Sequence, residues 1–405
     1  MIAFNIRTAL VLACTALTLL LNGCATPPEE GEEVDTGPWI WPTPPDQPRY
    51  SYVTTLRSEV DIKPPEEEDA LVSLFAGQKE PKMAFEKPFG IAARGGRIFI
   101  TDTQLRQVVV FDIPRRKVFY FGVRLEGALK KPLGIALDRE NRVYVADVSE
   151  RRIVVYDQLG LFLRTIGSAD DLARPTGVAV SPEGDRIYVV DDGGIDTDAH
   201  RIVVYDHEGK KLFIIGKRGK EDGEFNLPIG AAVGPDGTLY VLDTGNFRIQ
   251  AFDRDGKFLR KWGKAGNSFG DFSRARAIAV DDENKIYVAD SVFGNIQIFN
   301  ADGEILMPIG TYSSTTDGPG KFGLPAGVAI DEKGFVYIVD QLFNKIEVLK
   351  HLNDEEARQA TEEFKKRKKT DNPPATESAT EPTEIPNSEN KTDVATPVSG
   401  NPGTN

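Results

Sequence analysis

Few residues in this chain have the types and spacing that chemistry requires. Its 405 residues include three histidines and two cysteines. His200 lies in a long loop, His207 in a hairpin turn, and His351 after the last strand-like run. These places are unlike one another, so a three-histidine zinc site is not expected. The stretch Asp191-Asp192-Gly193-Gly194-Ile195-Asp196-Thr197-Asp198 brings four carboxylates together with two glycines. Asp191, Asp192, Asp196 and Asp198 would offer calcium its oxygen ligands from one flexible loop. No glutamate closes that loop, and a mobile acidic loop without metal is the competing reading. The other candidates are cationic. Arg276 and Arg274 stand close together, and Lys87, Lys131 and Arg174 occupy positions corresponding to Arg274. If these positions converge, they form a basic collar that orients an anionic group while apolar neighbours bury the rest of a ligand. A structural pair between Arg276 and Asp290 is the competing reading. No Ser-His-Asp arrangement, P-loop or CxxC motif is present.

What would position these residues is a repeat. From Leu227 to Gly263 the chain reads LPIGAAVGPDGTLYVLDTGNFRIQAFDRDGKFLRKWG. Four short β-type runs are separated by Gly234-Pro235-Asp236-Gly237, Gly245-Asn246 and Asp255-Gly256, which are turn signals. Six such units follow one another. Their second runs (IFITD, VYVAD, IYVVD, LYVLD, IYVAD, VYIVD) end at Asp102, Asp147, Asp191, Asp243, Asp290 and Asp340, at steps of 45, 44, 52, 47 and 50 residues. Four antiparallel strands per unit, six times over, predict an all-β, six-bladed β-propeller. The glycines and alanines of the first strands suit six innermost strands crowded around one axis. Phe85, Leu129, Leu172, Phe225, Phe272 and Phe322, three places before each Pro position, are expected to plug the space between blades. The six aspartates, one per blade, are expected to fold back on turn backbone, because an active site would break the repeat symmetry. Repeat five breaks it with Ala275 and Ala277 in place of Pro and Gly around Arg276. Repeat one has Arg94 where most have Asp or Ser.

The pattern F-x-x-P-x-G-[IV]-A-[VI]-D, then [IV]-Y-V-[AV]-D, N-x-[RK]-[IV]-x-[VI]-F and D-G-x-F-x-x-x-G resembles NHL repeats, six of them over residues 85 to 349. Near the start, Arg7 precedes an apolar run from Thr8 to Leu21 that ends in Leu21-Asn22-Gly23-Cys24. The run has the length of a signal-peptide core and is too short for a comfortable membrane span. With the lead WPTPPDQPR (Trp41 to Arg49), the whole resembles bacterial NHL-repeat lipoproteins. The resemblance implies acylation of Cys24, removal of residues 1–23, export to the cell envelope, and sorting to the outer membrane. It says almost nothing of activity, because one scaffold serves enzymes and binding modules alike. The leading expectation is a non-catalytic, membrane-anchored binding or scaffold module for a protein, peptide or glycan. The alternative is a propeller hydrolase or lyase, lactonase-like or amidating-lyase-like, with a metal in the axial channel.

Residues 24–48 read as a Pro/Glu-rich linker, 49–350 as the propeller, 351–369 as a charged helix and 370–405 as a disordered tail. The chain's net charge is −13. The linker carries −6, the tail −5 and Arg7 in the first 23 residues +1, which leaves −3 on residues 49–369 and makes the low pI a property of the ends. No basic run interleaved with aromatics points to nucleic acid. The sixth repeat lacks an outer strand. Residues 49–56 (RYSYVTTL) are expected to supply it, with residues 70–75 as the rival.

Overall fold

The computed structural model describes residues 37–63 and 83–371. Within them the chain forms a six-bladed β-propeller: five four-stranded antiparallel sheets and a sixth sheet of five strands. In blade 1 the order from axis to rim is Pro88–Arg94, Arg97–Asp102, Gln107–Asp112 and Lys117–Phe121. The other blades repeat it, with innermost strands Pro132–Leu137, Pro175–Val180, Pro228–Val233, Ala275–Val280 and Pro325–Ile330. Successive innermost strands touch around a closed ring, the sixth returning to the first. Strand direction fixes two faces. The top carries the start of each innermost strand and the turn after each second strand. The bottom carries the turn between those two strands.

The middle strands are apolar on both sides because both sides are covered. Val109, Val154, Val203, Ile249 and Ile296 of the third strands are completely buried between neighbouring sheets. The six plug residues, Phe85 to Phe322, are buried as expected. A residue of this size contributes about 1.5–3 kcal/mol by leaving water. Close approach explains the glycines of the innermost strands. A Cβ on Gly134 would sit 2.7 Å from the Cα of Gly177, and one on Gly327 2.4 Å from the carbonyl oxygen of Phe89. At these two positions only a bare backbone lets the strands meet.

The ring closes through the N-terminal segment. Tyr50–Leu56 pairs antiparallel with Lys345–His351, from Tyr50 opposite His351 to Leu56 opposite Ile346. The Tyr50 hydroxyl lies 2.9 Å from that of Tyr287 in blade 5, so the added strand is tied to the neighbouring blade as well. The expected linker ends earlier than residue 48. Ile40–Trp41 pairs with Tyr50–Ser51 as a fifth strand, Ile40 is buried, and Trp39 packs edge-on against Tyr52 at 5.3 Å. Averaging over an acidic, proline-rich window concealed three consecutive apolar residues that find a surface on blade 6. After the propeller, a helix runs from Asp354 to Asp371. Asn353 Oδ1 accepts from the amides of Glu355 and Glu356, which accounts for its start. The signal segment, Cys24, residues 70–75 and the tail beyond 371 lie outside the described residues.

Candidate functional site

The repeating aspartates fall into place first. All six are fully buried. Each accepts hydrogen bonds from the backbone that leads into its own blade: Asp102 from Glu86 and Lys87, Asp147 from Lys130 and Lys131, Asp340 from Gly323 and Leu324. Asp290 takes the amides of Ser273 and Arg274 on one side and of Val292 and Phe293 on the other. These carboxylates stitch the incoming loop to the second strand.

Immediately inside that stitch, every innermost strand shifts register by a bulge after its first residue. A bulge re-aims one side chain. Here the side chains are Phe89, Leu133, Thr176, Ile229, Arg276 and Ala326, and they form one layer at the top of the axis. Leu133, Thr176 and Ala326 are buried in it. The Arg276 guanidinium lies over the Phe89 ring at 5.2 Å. Because Phe89 belongs to blade 1 and Arg276 to blade 5, the pair reaches past blade 6. Hydrogen bonds between blades brace the layer, from Thr101 Oγ1 to the Leu133 carbonyl (2.6 Å) and from Gln341 Nε2 to the Pro88 carbonyl (2.6 Å).

Arg276 makes no ion pair among the described residues, and the pairing with Asp290 does not form, since Asp290 is occupied by four backbone amides. Burial, aided by Arg274, pushes the Arg276 pKa down. The other residues of the expected collar differ in their pairing. Lys87, Lys131 and Arg274 are exposed and unpaired among the described residues, whereas Arg174 Nη1 lies 3.3 Å from Asp192. Exposed apolar side chains share this face: Ile195 (70% exposed), Phe247, Phe269 (68%), Val292, Tyr312 and Leu342.

The acidic loop of blade 3 does not gather its carboxylates. Asp191 is taken by the amides of Ala173 and Arg174 and by Arg201 Nε, Asp192 faces Arg174, and Asp198 lies 3.8 Å from Arg218. Burial pushes the Asp192 pKa up. Among the described residues no group of three His, Cys, Asp or Glu is arranged to hold a metal ion. The loop is instead pinned by His200, which is buried. Its Nε2 lies 2.8 Å from the Gly194 carbonyl and its Nδ1 accepts from the Leu227 amide at 3.2 Å, so the ring ties both ends of the loop to backbone.

A cavity of about 470 Å³ occupies the axis on the bottom side. It is walled by Ile91, Ile135, Val178, Ala231, Ile278 and Val328 and their downstream neighbours. None of Arg276, Arg274, Lys87, Lys131 or Arg174 lines it. The sequence reading placed its ligand-binding residues at the top mouth, and this cavity lies toward the other end of the axis.

Three polar residues escaped the sequence reading. Gln250, Gln297 and Glu347 stand in the middle of buried third strands where blades 1–3 have valine. Each accepts an amide from the loop that leads into its blade: Gly223, Gly270 and Gly320 at 2.9, 2.7 and 2.8 Å. Lys345, also fully buried, neutralises Glu347 at 2.9 Å. The available signal was the spacing, since each glycine precedes its acceptor by 27 residues.

Fold and site define a six-bladed β-propeller built of NHL repeats. The NHL repeat model matches residues 172–205 and 225–252, which fall in blades 3 and 4. Protein brain tumor of Drosophila melanogaster is 31% identical over 139 residues, a stretch covering 33% of this chain and 12% of that protein. A gluconolactonase from Xanthomonas campestris superposes with a TM-score of 0.50 at 17% identity, covering 74% of this chain and 98% of its own. A structural genomics protein of unknown function from Bacteroides thetaiotaomicron gives 0.51 at 18% identity, over 66% and 70%. At such identities the likeness to these structures is one of fold.

Proposed function

We propose that this propeller is a non-catalytic binding module of the bacterial cell envelope. In this reading it is anchored through lipid on Cys24 to the outer membrane and presents its top face to a protein partner. The observation that carries the binding role is the composition of that face. Six exposed apolar side chains stand beside Lys87, Lys131 and Arg274, which are exposed and unpaired among the described residues. Exposed apolar groups beside available cations mark interaction surfaces. A peptide or glycan would use the same face. The shared NHL repeats with Protein brain tumor fit a binding scaffold. The likeness to a gluconolactonase leaves lactone hydrolysis as the rival activity. The anchor rests on Leu21-Asn22-Gly23-Cys24, and two acyl chains there would hold the protein stably where one would not.

Two measurements test this. Cys24→Ala should move the protein from the detergent phase to the aqueous phase and abolish labelling by a radioactive fatty acid. Partner capture from envelopes should be lost in Val292→Asp and Leu342→Asp while both variants melt like the wild type. Capture that survives both substitutions removes the top face from consideration.

A further inference from the structure

The axial cavity opens on the bottom face, away from the proposed partner surface, and its mouth is electrically lopsided. Each innermost strand ends there in a two-residue step into the turn. The first residues of the step are Arg94, Asp138, Ser181, Gly234, Asp281 and Asp331. The three aspartates are used internally: Asp138 receives Tyr144 and Arg142, Asp281 receives Tyr287, and Asp331 receives Tyr337. All three also bind amides of their own turns. Arg94 breaks the pattern, and its side chain has no hydrogen-bond or ion-pair partner among the described residues.

The second residues of the step are Gly95, Arg139, Pro182, Pro235, Asp282 and Glu332. Arg139 and Asp282 are exposed and likewise unpartnered among the described residues. Glu332 accepts one amide, that of Gly95, at 3.0 Å. Among these twelve residues the available positive charge therefore belongs to blades 1 and 2 and the available negative charge to blades 5 and 6, with Glu332 reaching the Gly95 amide at the seam between blades 6 and 1. Blades 2 and 5 are diametrically opposed in a ring of six. Between the two charged arcs lies a well whose wall includes Ile91, Ile135, Val178, Ala231, Ile278 and Val328. A volume of 470 Å³ falls within the range of small-molecule sites.

We propose that this well binds a small zwitterion with an apolar body, such as an aliphatic amino acid or a short aliphatic peptide with both ends free. The carboxylate lies at Arg94 and Arg139, the ammonium at Asp282 and Glu332, and the aliphatic part enters the well. A simple anion meets Asp282 and Glu332, and a simple cation meets Arg94 and Arg139. Only a ligand carrying both charges matches both arcs, and the selectivity comes from that double requirement.

Calorimetric titration of the full chain tests this with four probes: leucine, leucyl-leucine, N-acetyl-leucine and leucinamide. Saturable binding of leucine or leucyl-leucine is expected, and which of the two binds tells a free amino acid from a peptide. Blocking either end should weaken binding by about tenfold or more, as should Arg94→Gln or Asp282→Asn, through loss of one charge-assisted contact. Val178→Phe, which fills the well, should abolish binding. Because that variant crowds the ring, its melting curve is recorded beside those of Arg94→Gln and Asp282→Asn, which change only the mouth. Absence of saturable binding for both leucine and leucyl-leucine overturns the proposal. So does equal binding of the blocked probes, or affinity unchanged in both Arg94→Gln and Asp282→Asn.

Discussion

The guanidinium of Arg276 in blade 5 lies 5.2 Å from the ring centre of Phe89 in blade 1, reaching past the intervening blade 6. A partly desolvated cation over an aromatic face is worth on the order of 1–2 kcal/mol. Arg276→Ala is therefore expected to lower the melting temperature by several degrees and to leave partner capture intact. Phe89→Ala should do the same, and the double variant should lose less than the sum of the two, as for any pair in contact. Additive losses would show that the two side chains act separately.

Ring closure gives a second expectation. Residues 40–56 supply two strands of blade 6 and the Tyr50–Tyr287 hydrogen bond. A chain starting at Met83 should expose the edge of Lys345–His351, bind a hydrophobic dye and melt well below the full chain. Unchanged melting would mean that the two N-terminal strands contribute nothing to stability.

The buried glutamines offer a sharper local test. Gln297→Val keeps the volume roughly constant but leaves the Gly270 amide and the Asp271 carbonyl without their partner. The cost should be about 1–3 kcal/mol, read as a lower urea midpoint at constant slope. The valines at this position in blades 1–3 show that the fold itself accepts an aliphatic side chain there.

His351 sets a pH dependence. It packs at a tilt against Tyr50 at 5.2 Å between ring centres, and burial together with Lys285 pushes its pKa below the ordinary value. Glu283, Asp281 and Arg49 also face it, the two carboxylates opposing that shift and Arg49 adding to it. The folded state therefore resists protonation that the unfolded chain accepts. Stability from this site is present above the unfolded pKa of about 6.5 and is lost as pH falls from there through the lower folded pKa. His351→Phe should reduce the drop in melting temperature between pH 7.5 and pH 5.5. An identical drop in the variant would exclude His351 as its source.

The architecture was legible because its causes recur six times. Alternating turn signals, the aspartate closing each second strand and the plug three places before each proline are local patterns that repetition amplifies. The site was only partly legible. Arg276 and Arg94 stood out as breaks in the pattern, but spacing alone does not tell at which end the axis is open. The contact of Arg276 with Phe89 of another blade was equally invisible in the spacing. Ile40 and Trp41 were hidden for the opposite reason, since their acidic, proline-rich neighbours outweighed them in composition. Gln250, Gln297 and Glu347 read as interruptions of apolar strands because their partners lie in preceding loops.

The central claim is that the top face meets a protein partner. The most direct measurement places a photo-crosslinking amino acid at Val292 on that face and, separately, at Glu140 in a bottom turn, followed by irradiation of intact envelopes. The account predicts a discrete crosslinked product from position 292, diminished by Arg274→Glu in the same chain, and none from position 140. A product from position 140 alone, or equal products from both, would contradict it.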